Sequence, residues 1–176
     1  MQSSTVLQRQ RKPTTINNMI LSIDPGLKGG ICYGSYPENL RAIPMPLIGG
    51  EIYPAAIAQL IKEINPNLAI VEKVHSMPGQ GVASTFKFGK GYGLVLGILG
   101  ALGVPIELTT PQAWKKLVLA GTSKDKQAAI AFCAMRYPHL SLIPKGCRTP
   151  HDGIADAVCL WSFGYAKQPA GLAKIS

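Results

Sequence analysis

The feature that most constrains the fold is a short apolar segment that ends on a carboxylate and runs directly into a glycine-rich turn. Residues 19–23 predict a buried strand, Asp24 ends it, and Pro25-Gly26 with Gly29-Gly30 turns the chain back into a second strand. An unpaired carboxylate buried at a strand end costs several kcal/mol. Asp24 therefore either binds a ligand or makes an Asx turn with its own backbone, and this segment alone leaves both explanations open.

The first half of the chain predicts a mixed α/β arrangement. Two short strands over residues 31–45 continue the antiparallel meander, and apolar residues at helical spacing predict a helix over 53–64. Residues 68–71 then predict a strand that ends at Glu72. A strand that follows a helical crossover is normally parallel to the first strand, so Asp24 and Glu72 are expected at the same edge of adjacent strands, about 4.8 Å apart.

A glycine-rich helix follows a loop of turn composition over residues 73–81, which we expect to contact substrate because it comes directly after Glu72. The helix is predicted over residues 84–102 and contains glycines at positions 89, 91, 93, 97 and 100. Each glycine costs about 0.5–1 kcal/mol relative to alanine. Close packing on the domain's own sheet and close approach of a partner helix across a dimer axis both explain them.

The second half predicts a strand over 105–108 and helices over 112–119, over 124–136 with Ser123 as its cap, and from about residue 151 onward. Lys124 and Lys126 stand near the start of their helix, where positive charge opposes the macrodipole. A bound phosphate explains them, and a solvated charge run is the alternative.

Length and charge limit the class of protein. A chain of 176 residues that is 47% hydrophobic can bury one core, and 18 Lys and Arg against 9 Asp and Glu give a net charge of +9. This balance favours a polyanionic partner, with a merely soluble basic protein as the alternative. We predict a basic disordered arm over residues 1–18, one domain over 19–168 and a flexible tail over 169–176. A weak organelle-targeting segment is the alternative for the arm.

Four cysteines without a C-x-x-C pair make a disulfide framework improbable and indicate a reducing compartment. No apolar run is long enough to predict a membrane span. A zinc site is the weaker of two metal hypotheses, because the spacing of its candidate ligands matches no common structural zinc pattern: Cys133, His139, Cys147 and His151.

The stronger metal hypothesis rests on acids that stand inside or at the ends of apolar segments: Asp24, Glu72, Asp152 and Asp156. Asp152 and Asp156 are four residues apart in the predicted last helix, so they share one face with about 6 Å of rise between them. Carboxylates without soft ligands are typical of Mg²⁺ or Mn²⁺ sites. Two such ions about 4 Å apart can activate a water and stabilise the leaving oxygen in phosphodiester cleavage.

Three acid-bearing motifs in this order resemble those of the RuvC-type Holliday junction resolvases: Ile-Asp24-Pro-Gly, Val-Glu72-Lys-Val and His151-Asp-Gly-Ile-Ala-Asp156-Ala. Residues 84–93 and 110–116 and the pair Asp125-Lys126 are also similar to family segments. The resemblance implies a ribonuclease H-like α/β fold, a mixed five-stranded sheet flanked by helices. It also implies a homodimer, dependence on Mg²⁺ or Mn²⁺ with two ions per site, and paired symmetric nicks in four-way DNA junctions during recombination and repair.

The resemblance further implies a set of site residues. The four acids would be catalytic metal ligands, with Lys126 as a further catalytic residue. The residues expected to bind DNA are Lys73, His75, Lys87, Lys90, Lys115, Lys116, Lys124 and Lys126. The expected location is the cytoplasm beside the nucleoid, with an organelle or a phage-infected cell as alternatives. The chain departs from the family at two points: many members space the last two acids three residues apart, where this sequence has Gly153, and several relatives carry an aromatic residue where this sequence has His75.

Two other function classes stay open at this stage. Actin-like ATPases and sugar kinases also combine an acid with a glycine turn, but they need two such domains, and this chain shows no second glycine-rich phosphate turn after a strand. A catalytically inactive module that binds branched DNA is the other alternative.

Overall fold

The structure is a computed structural model, and it describes residues 18–73 and 81–168. Seven strands occur in these ranges: β1 (Ile20–Asp24), β2 (Gly30–Gly34), β3 (Arg41–Pro44), β4 (Leu47–Ile48), β5 (Glu51–Ile52), β6 (Leu68–Glu72) and β7 (Ile106–Thr109). The α-helices in these ranges are α1 (Pro54–Ile64), α2 (Val82–Ala101), α3 (Pro111–Val118), α4 (Lys126–Arg136) and α5 (Asp152–Ala166).

Five of the strands form one mixed sheet in the order β3-β2-β1-β6-β7, and β4 and β5 form a separate hairpin. β1 is antiparallel to β2 and parallel to β6, with Ile23 opposite Val71. β6 is in turn parallel to β7, and Glu72 lies opposite Thr109. The predicted parallel pairing is therefore confirmed, and β1 and β6 end side by side at the same edge of the sheet.

The sheet is covered on both faces, which explains why apolar side chains of β1 point to both of them. Leu21 and Ile23 point to one face and belong to a core that includes Ile57 of α1 and Leu99 of α2. Ile20 points to the other face, into a core formed with α3, α4 and α5. The predicted α/β architecture, a five-stranded sheet flanked by helices, is confirmed.

The α5 helix is buried on almost every side and is held against the glycine turn between β1 and β2. A Cβ atom on Gly153 would lie 2.0 Å from the backbone oxygen of Lys28, and one on Gly30 would lie 2.6 Å from the backbone oxygen of Gly153. One helical turn further on, the buried Ser22 hydroxyl donates a hydrogen bond of 2.7 Å to the carbonyl of Ala157. These contacts fix the position of the start of α5 against the end of β1.

The predicted cap of α4 was wrong. The helix begins at Lys126, and its N-cap is Asp125, whose carboxylate accepts the backbone N–H of Ala128 at 2.8 Å. Lys124 lies before the helix with a φ of +58°. An anionic cap satisfies a free N–H and also interacts favourably with the helix dipole, so Asp125 is a better cap than the hydroxyl of Ser123.

Four predictions fall wholly or mostly on residues outside the described ranges: the basic arm except for its last residue, the tail over 169–176, the substrate-contacting loop after β6 except for its first and last residues, and His75 within that loop. In the part of the chain that the structure describes, no helix combines the length and apolar character that crossing a bilayer requires.

We predict that Gly153→Ala destabilises the protein by about 3 kcal/mol or more, because the added methyl group meets backbone atoms that cannot move aside. Gly81→Ala is the control, since a Cβ there meets no described atom within 4 Å and its φ of −59° is open to any residue. It should change the free energy of unfolding by about 0.5 kcal/mol or less. Urea unfolding measures both changes. A loss of less than about 0.5 kcal/mol for Gly153→Ala would contradict the close approach.

Candidate active site

The structure brings four acidic side chains to one edge of the sheet. Asp24 ends β1, Glu72 ends the neighbouring strand β6, and Asp152 and Asp156 lie in the first turns of α5. Asp24, Asp152 and Asp156 line a cleft of about 420 Å³ together with Lys126. Glu72 lies beside this cleft, close enough for its charge to raise the pKa of Asp24 and of Asp156.

Asp24 is the most perturbed of the four acids. Burial, followed by the charges of Glu72 and Asp156, raises its pKa to about 7. The one local hydrogen bond to its side chain comes from the N–H of Gly26 and is 3.4 Å long, beyond the usual range. An Asx turn therefore compensates only a small part of the cost of an ionised carboxylate at this position.

Asp156 and Glu72 are perturbed in the same direction. Burial raises the pKa of Asp156 to about 6; the positive charge of Lys115 opposes the shift, while the charges of Glu72 and Asp152 add to it. Burial also raises the pKa of Glu72, against a hydrogen bond from Trp114 and the charge of Lys115. The site thus holds carboxylates that repel one another in a poorly solvated place, and a bound cation would relieve the repulsion.

Asp152 differs because it has its own counter-ion. Its carboxylate forms an ion pair with the ammonium group of Lys126 and accepts the N–H of Gly153 at 3.1 Å. The Lys126 pair lowers the pKa of Asp152 and raises that of Lys126. An acid three residues before Asp156 would stand at position 153, where a side chain would collide with the β1–β2 turn. This is a physical reason for the spacing of four residues between Asp152 and Asp156.

The chemistry of the donors fits a hard divalent cation, since all four side chains offer carboxylate oxygens. Within residues 18–73 and 81–168, no three His, Cys, Asp or Glu side chains are already close enough to hold one ion. For the acids, an ion would have to draw Asp152 away from Lys126. For the zinc alternative, the Cys133 thiol is buried and donates to the carbonyl of Ala155, whereas Cys147 is exposed.

His151 has a structural role at the same place. It is the N-cap of α5, and its Nδ1 atom accepts the backbone N–H of Ile154 at 3.3 Å. This contact positions the helix turn that carries Asp152.

The lysines that the sequence singled out are distributed unevenly around the cleft. Lys126 and Lys87 line it, and Lys115 lies near enough to lower the pKa of Glu72 and Asp156. Lys90 forms an exposed ion pair with Glu51. The remaining predicted lysines are exposed in the structure: Lys73, Lys116 and Lys124.

Several further residues lie at the site without having been predicted to do so from the sequence. Lys28, Ser84 and Phe88 line the cleft. Trp114 is fully buried, and its indole N–H donates a hydrogen bond of 2.7 Å to Oε1 of Glu72. The glycine turn could have suggested Lys28, but a hydrogen bond between residues 42 positions apart has no local signal in the sequence.

Comparison with known proteins points to one family. The chain is 29% identical over 124 residues to the curated crossover junction endodeoxyribonucleases RuvC of two strains of Nitratidesulfovibrio vulgaris, DP4 and Hildenborough. The match covers 70% of this chain and 71% of each relative. No protein-family model matches the chain.

Solved structures give the same result at the level of the fold. Thermus thermophilus RuvC has a TM-score of 0.54 and 20% identity, over 84% of this chain and 93% of that one. The same protein in complex with Holliday junction substrate has a TM-score of 0.54 and 17% identity, over 84% and 92%. The yeast mitochondrial Holliday junction resolvase Ydc2 has a TM-score of 0.51 and 16% identity, over 82% and 76%. The predicted resemblance to the RuvC-type resolvases is confirmed in sequence and in fold.

We predict that the metal-free protein loses stability as the pH rises from about 4 to about 7. Asp24 has an ordinary pKa of 3.8 and a folded-state pKa of about 7. In this pH window the folded protein therefore binds more protons than the unfolded chain. Above the window, the folded state carries the full cost of the ionised Asp24 carboxylate. Asp24→Asn removes the cost, so at pH 8 the variant should be more stable than the wild type by up to a few kcal/mol.

Thermal unfolding in EDTA at several pH values measures this difference. The two proteins should unfold at nearly the same temperature at about pH 3, where Asp24 of the wild type is protonated in most molecules of both the folded and the unfolded state. A variant that is less stable than the wild type at pH 8 would contradict the account of Asp24 as an uncompensated buried carboxylate.

Proposed function

We propose that this protein, a relative of the RuvC-type crossover junction endodeoxyribonucleases, is a metal-dependent nuclease that resolves four-way DNA junctions by paired symmetric nicks. The observation that carries the proposal is the group of mutually repelling carboxylates at the ends of β1, β6 and α5. They stand in a protein with a net charge of +9. The overall positive charge attracts phosphate, and the local cluster of carboxylates can bind cations that act on a phosphate backbone.

The metal ligands in this proposal are Asp24, Glu72, Asp152 and Asp156, in a site for two Mg²⁺ ions that Mn²⁺ could also occupy. Bound there, the ions would supply an activated water and would stabilise the charge on the leaving oxygen. Burial is the main cause of the raised pKa of Asp24 and Asp156, and repulsion between the acids adds to it; a cation would oppose both effects, because the negative charges would face it.

Lys126 has two roles in this proposal. In the structure its ammonium group neutralises Asp152. When Asp152 turns to a cation, Lys126 is free to contact the scissile phosphate, which would enter the same cleft. Lysine suits this exchange because its long side chain moves between partners without a fixed geometry.

DNA binding in this proposal is distributed over the basic residues around the cleft. Lys87 and Lys126 line the cleft itself, and Lys28 adds a positive charge from the β1–β2 turn. Each lysine that neutralises a phosphate releases counter-ions, so binding should weaken steeply with salt. The Thermus thermophilus relative was solved with Holliday junction substrate, which supports branched DNA as the partner.

We also propose that the protein is a homodimer, and the support comes from α2. A Cβ on Gly91 would lie 2.8 Å from the terminal methyl of Ile52 and 3.1 Å from the backbone oxygen of Pro25, so this glycine packs within the domain. Gly89, Gly93, Gly97 and Gly100 are exposed, and a Cβ on any of them would meet no described atom within 4 Å. Close approach of a second chain explains these four glycines, whereas packing on the domain's own sheet does not.

We predict that Asp24→Asn lowers the single-turnover rate of junction nicking by a thousandfold or more, about 4 kcal/mol of transition-state stabilisation. Asparagine keeps the shape of the side chain but removes the charge that binds the cation. Junction affinity, measured by gel shift in Ca²⁺, should stay the same or increase, because one charge that repels phosphate is lost.

The substrates distinguish the alternatives in this experiment. A synthetic four-way junction is incubated with Mg²⁺ beside linear duplex and beside ATP. Symmetric nicks in the junction support the proposal. Turnover of ATP would favour the actin-like class, and binding without nicks by the wild type would favour an inactive DNA-binding module. Near-normal nicking by Asp24→Asn would contradict the metal-ligand assignment.

We predict that light scattering at micromolar concentration gives the mass of two chains for the wild type and of one chain for Gly93→Leu/Gly97→Leu. The two leucines would occupy the space that a partner backbone needs. Ala134→Leu, which puts a leucine on the exposed side of α4, is the control and should stay dimeric. A wild-type protein with the mass of one chain and full nicking activity would refute the dimer.

A further inference from the structure

Trp114 makes a contact with the site that local sequence patterns do not show. The side chain is fully buried, yet its one polar atom is directed at the acidic cluster, where the indole N–H donates to Oε1 of Glu72 at 2.7 Å. We propose that Trp114 is a positioning residue: it holds one oxygen of Glu72 so that the other oxygen is presented to the bound cation. This inference rests on the proposed function, in which Glu72 is a metal ligand.

The backbone around Trp114 is rigid, so the indole is a fixed donor. β7 pairs with β6 in a register that sets Thr109 opposite Glu72. The next residue, Thr110, is the N-cap of α3, and its hydroxyl oxygen accepts the N–H of Ala113 at 3.2 Å. Only Thr110 separates β7, the strand beside Glu72, from the first residue of α3. Trp114 lies in the first turn of that helix.

The chemistry of the two groups makes the contact specific. An indole N–H can only donate, and a carboxylate has two oxygens that accept. The bond to Oε1 therefore leaves Oε2 for another partner and fixes the plane of the carboxylate. Groups that orient metal ligands in this way typically change metal affinity or activity by about 10–100-fold when they are removed.

A competing partner for Glu72 lies next along the helix. The ammonium group of Lys115 stands 5.2 Å from the centre of the Trp114 ring, and its charge acts on Glu72 and Asp156. Without the indole N–H, Glu72 would be free to turn toward Lys115 and away from a cation.

The chain contains a matched control. Trp161 is the second of two tryptophans and is also fully buried, but its indole N–H donates at 3.0 Å to the backbone carbonyl of Gly34, and its ring stacks on Tyr165. Trp114→Phe and Trp161→Phe each remove one buried N–H donor and keep an aromatic ring. Only the first removes a contact to an acid of the site.

The experiment compares Mn²⁺ binding by the two variants in the absence of DNA, with free Mn²⁺ measured by electron paramagnetic resonance. We expect Trp114→Phe to bind Mn²⁺ about tenfold more weakly than the wild type. Trp161→Phe should bind it as the wild type does. In nicking assays, Trp114→Phe should need a similarly higher Mg²⁺ concentration for half-maximal rate and should regain most of the rate at saturating Mg²⁺, because Glu72 itself is intact.

Equal Mn²⁺ affinity of the two variants would overturn the positioning role, whether or not the protein nicks junctions. A wild type that binds Mn²⁺ but cuts no junction would instead defeat the proposed function. If Trp114→Phe does not fold, β-(3-benzothienyl)alanine can replace Trp114 in the Trp161→Phe protein, since this analogue keeps the shape of the indole and lacks only the N–H. Unchanged Mn²⁺ affinity of that protein would also overturn the role.

Discussion

Electrostatic repulsion among partly buried carboxylates is the constraint to which the rest of this structure responds. Asp24, Glu72 and Asp156 gather where two parallel strands end beside the start of a helix. Burial raises the pKa of each, and the charges of neighbouring acids raise those of Asp24 and Asp156 further. Such an arrangement opposes folding at neutral pH. It persists because interactions outside the site hold its three supporting elements in place, and because a cation would convert the repulsion into attraction.

The interactions that hold these elements are close contacts in which larger side chains would not fit. Gly153 and Gly30 let α5 approach the β1–β2 turn to backbone contact, and the Ser22 hydroxyl ties β1 to the carbonyl of Ala157. Trp114 joins α3 to Glu72 through its indole N–H. The contacts that stabilise the fold therefore lie around the site and not within it, which is the usual compromise between stability and activity.

Lysine side chains lie close to the cluster of carboxylates. Lys126 neutralises Asp152, which is the one of the four site acids whose pKa is lowered, and Lys115 partly offsets the burial of Glu72 and Asp156. In the absence of metal, these lysines reduce the electrostatic cost of the clustered carboxylates. Both would be close to a phosphate that enters the cleft. The same charges thus serve the free protein and, in the function we propose, its complex with DNA.

Local pattern was enough to predict the parts of the protein that depend on neighbouring residues. The alternation of strand and turn around Asp24, the crossover to Glu72 and the helical spacing of Asp152 and Asp156 predicted both the sheet and the edge where the acids meet, since parallel strands and helix faces follow from periodicity. Local pattern chose the wrong cap for α4, because Ser123 and Asp125 are both acceptable caps and only geometry distinguishes them. Tertiary structure alone decided that position 153 has no room for a side chain, that Asp152 pairs with Lys126, and that Trp114 donates to a carboxylate 42 residues away. Each of these depends on distances between segments far apart in the chain, which no local periodicity records.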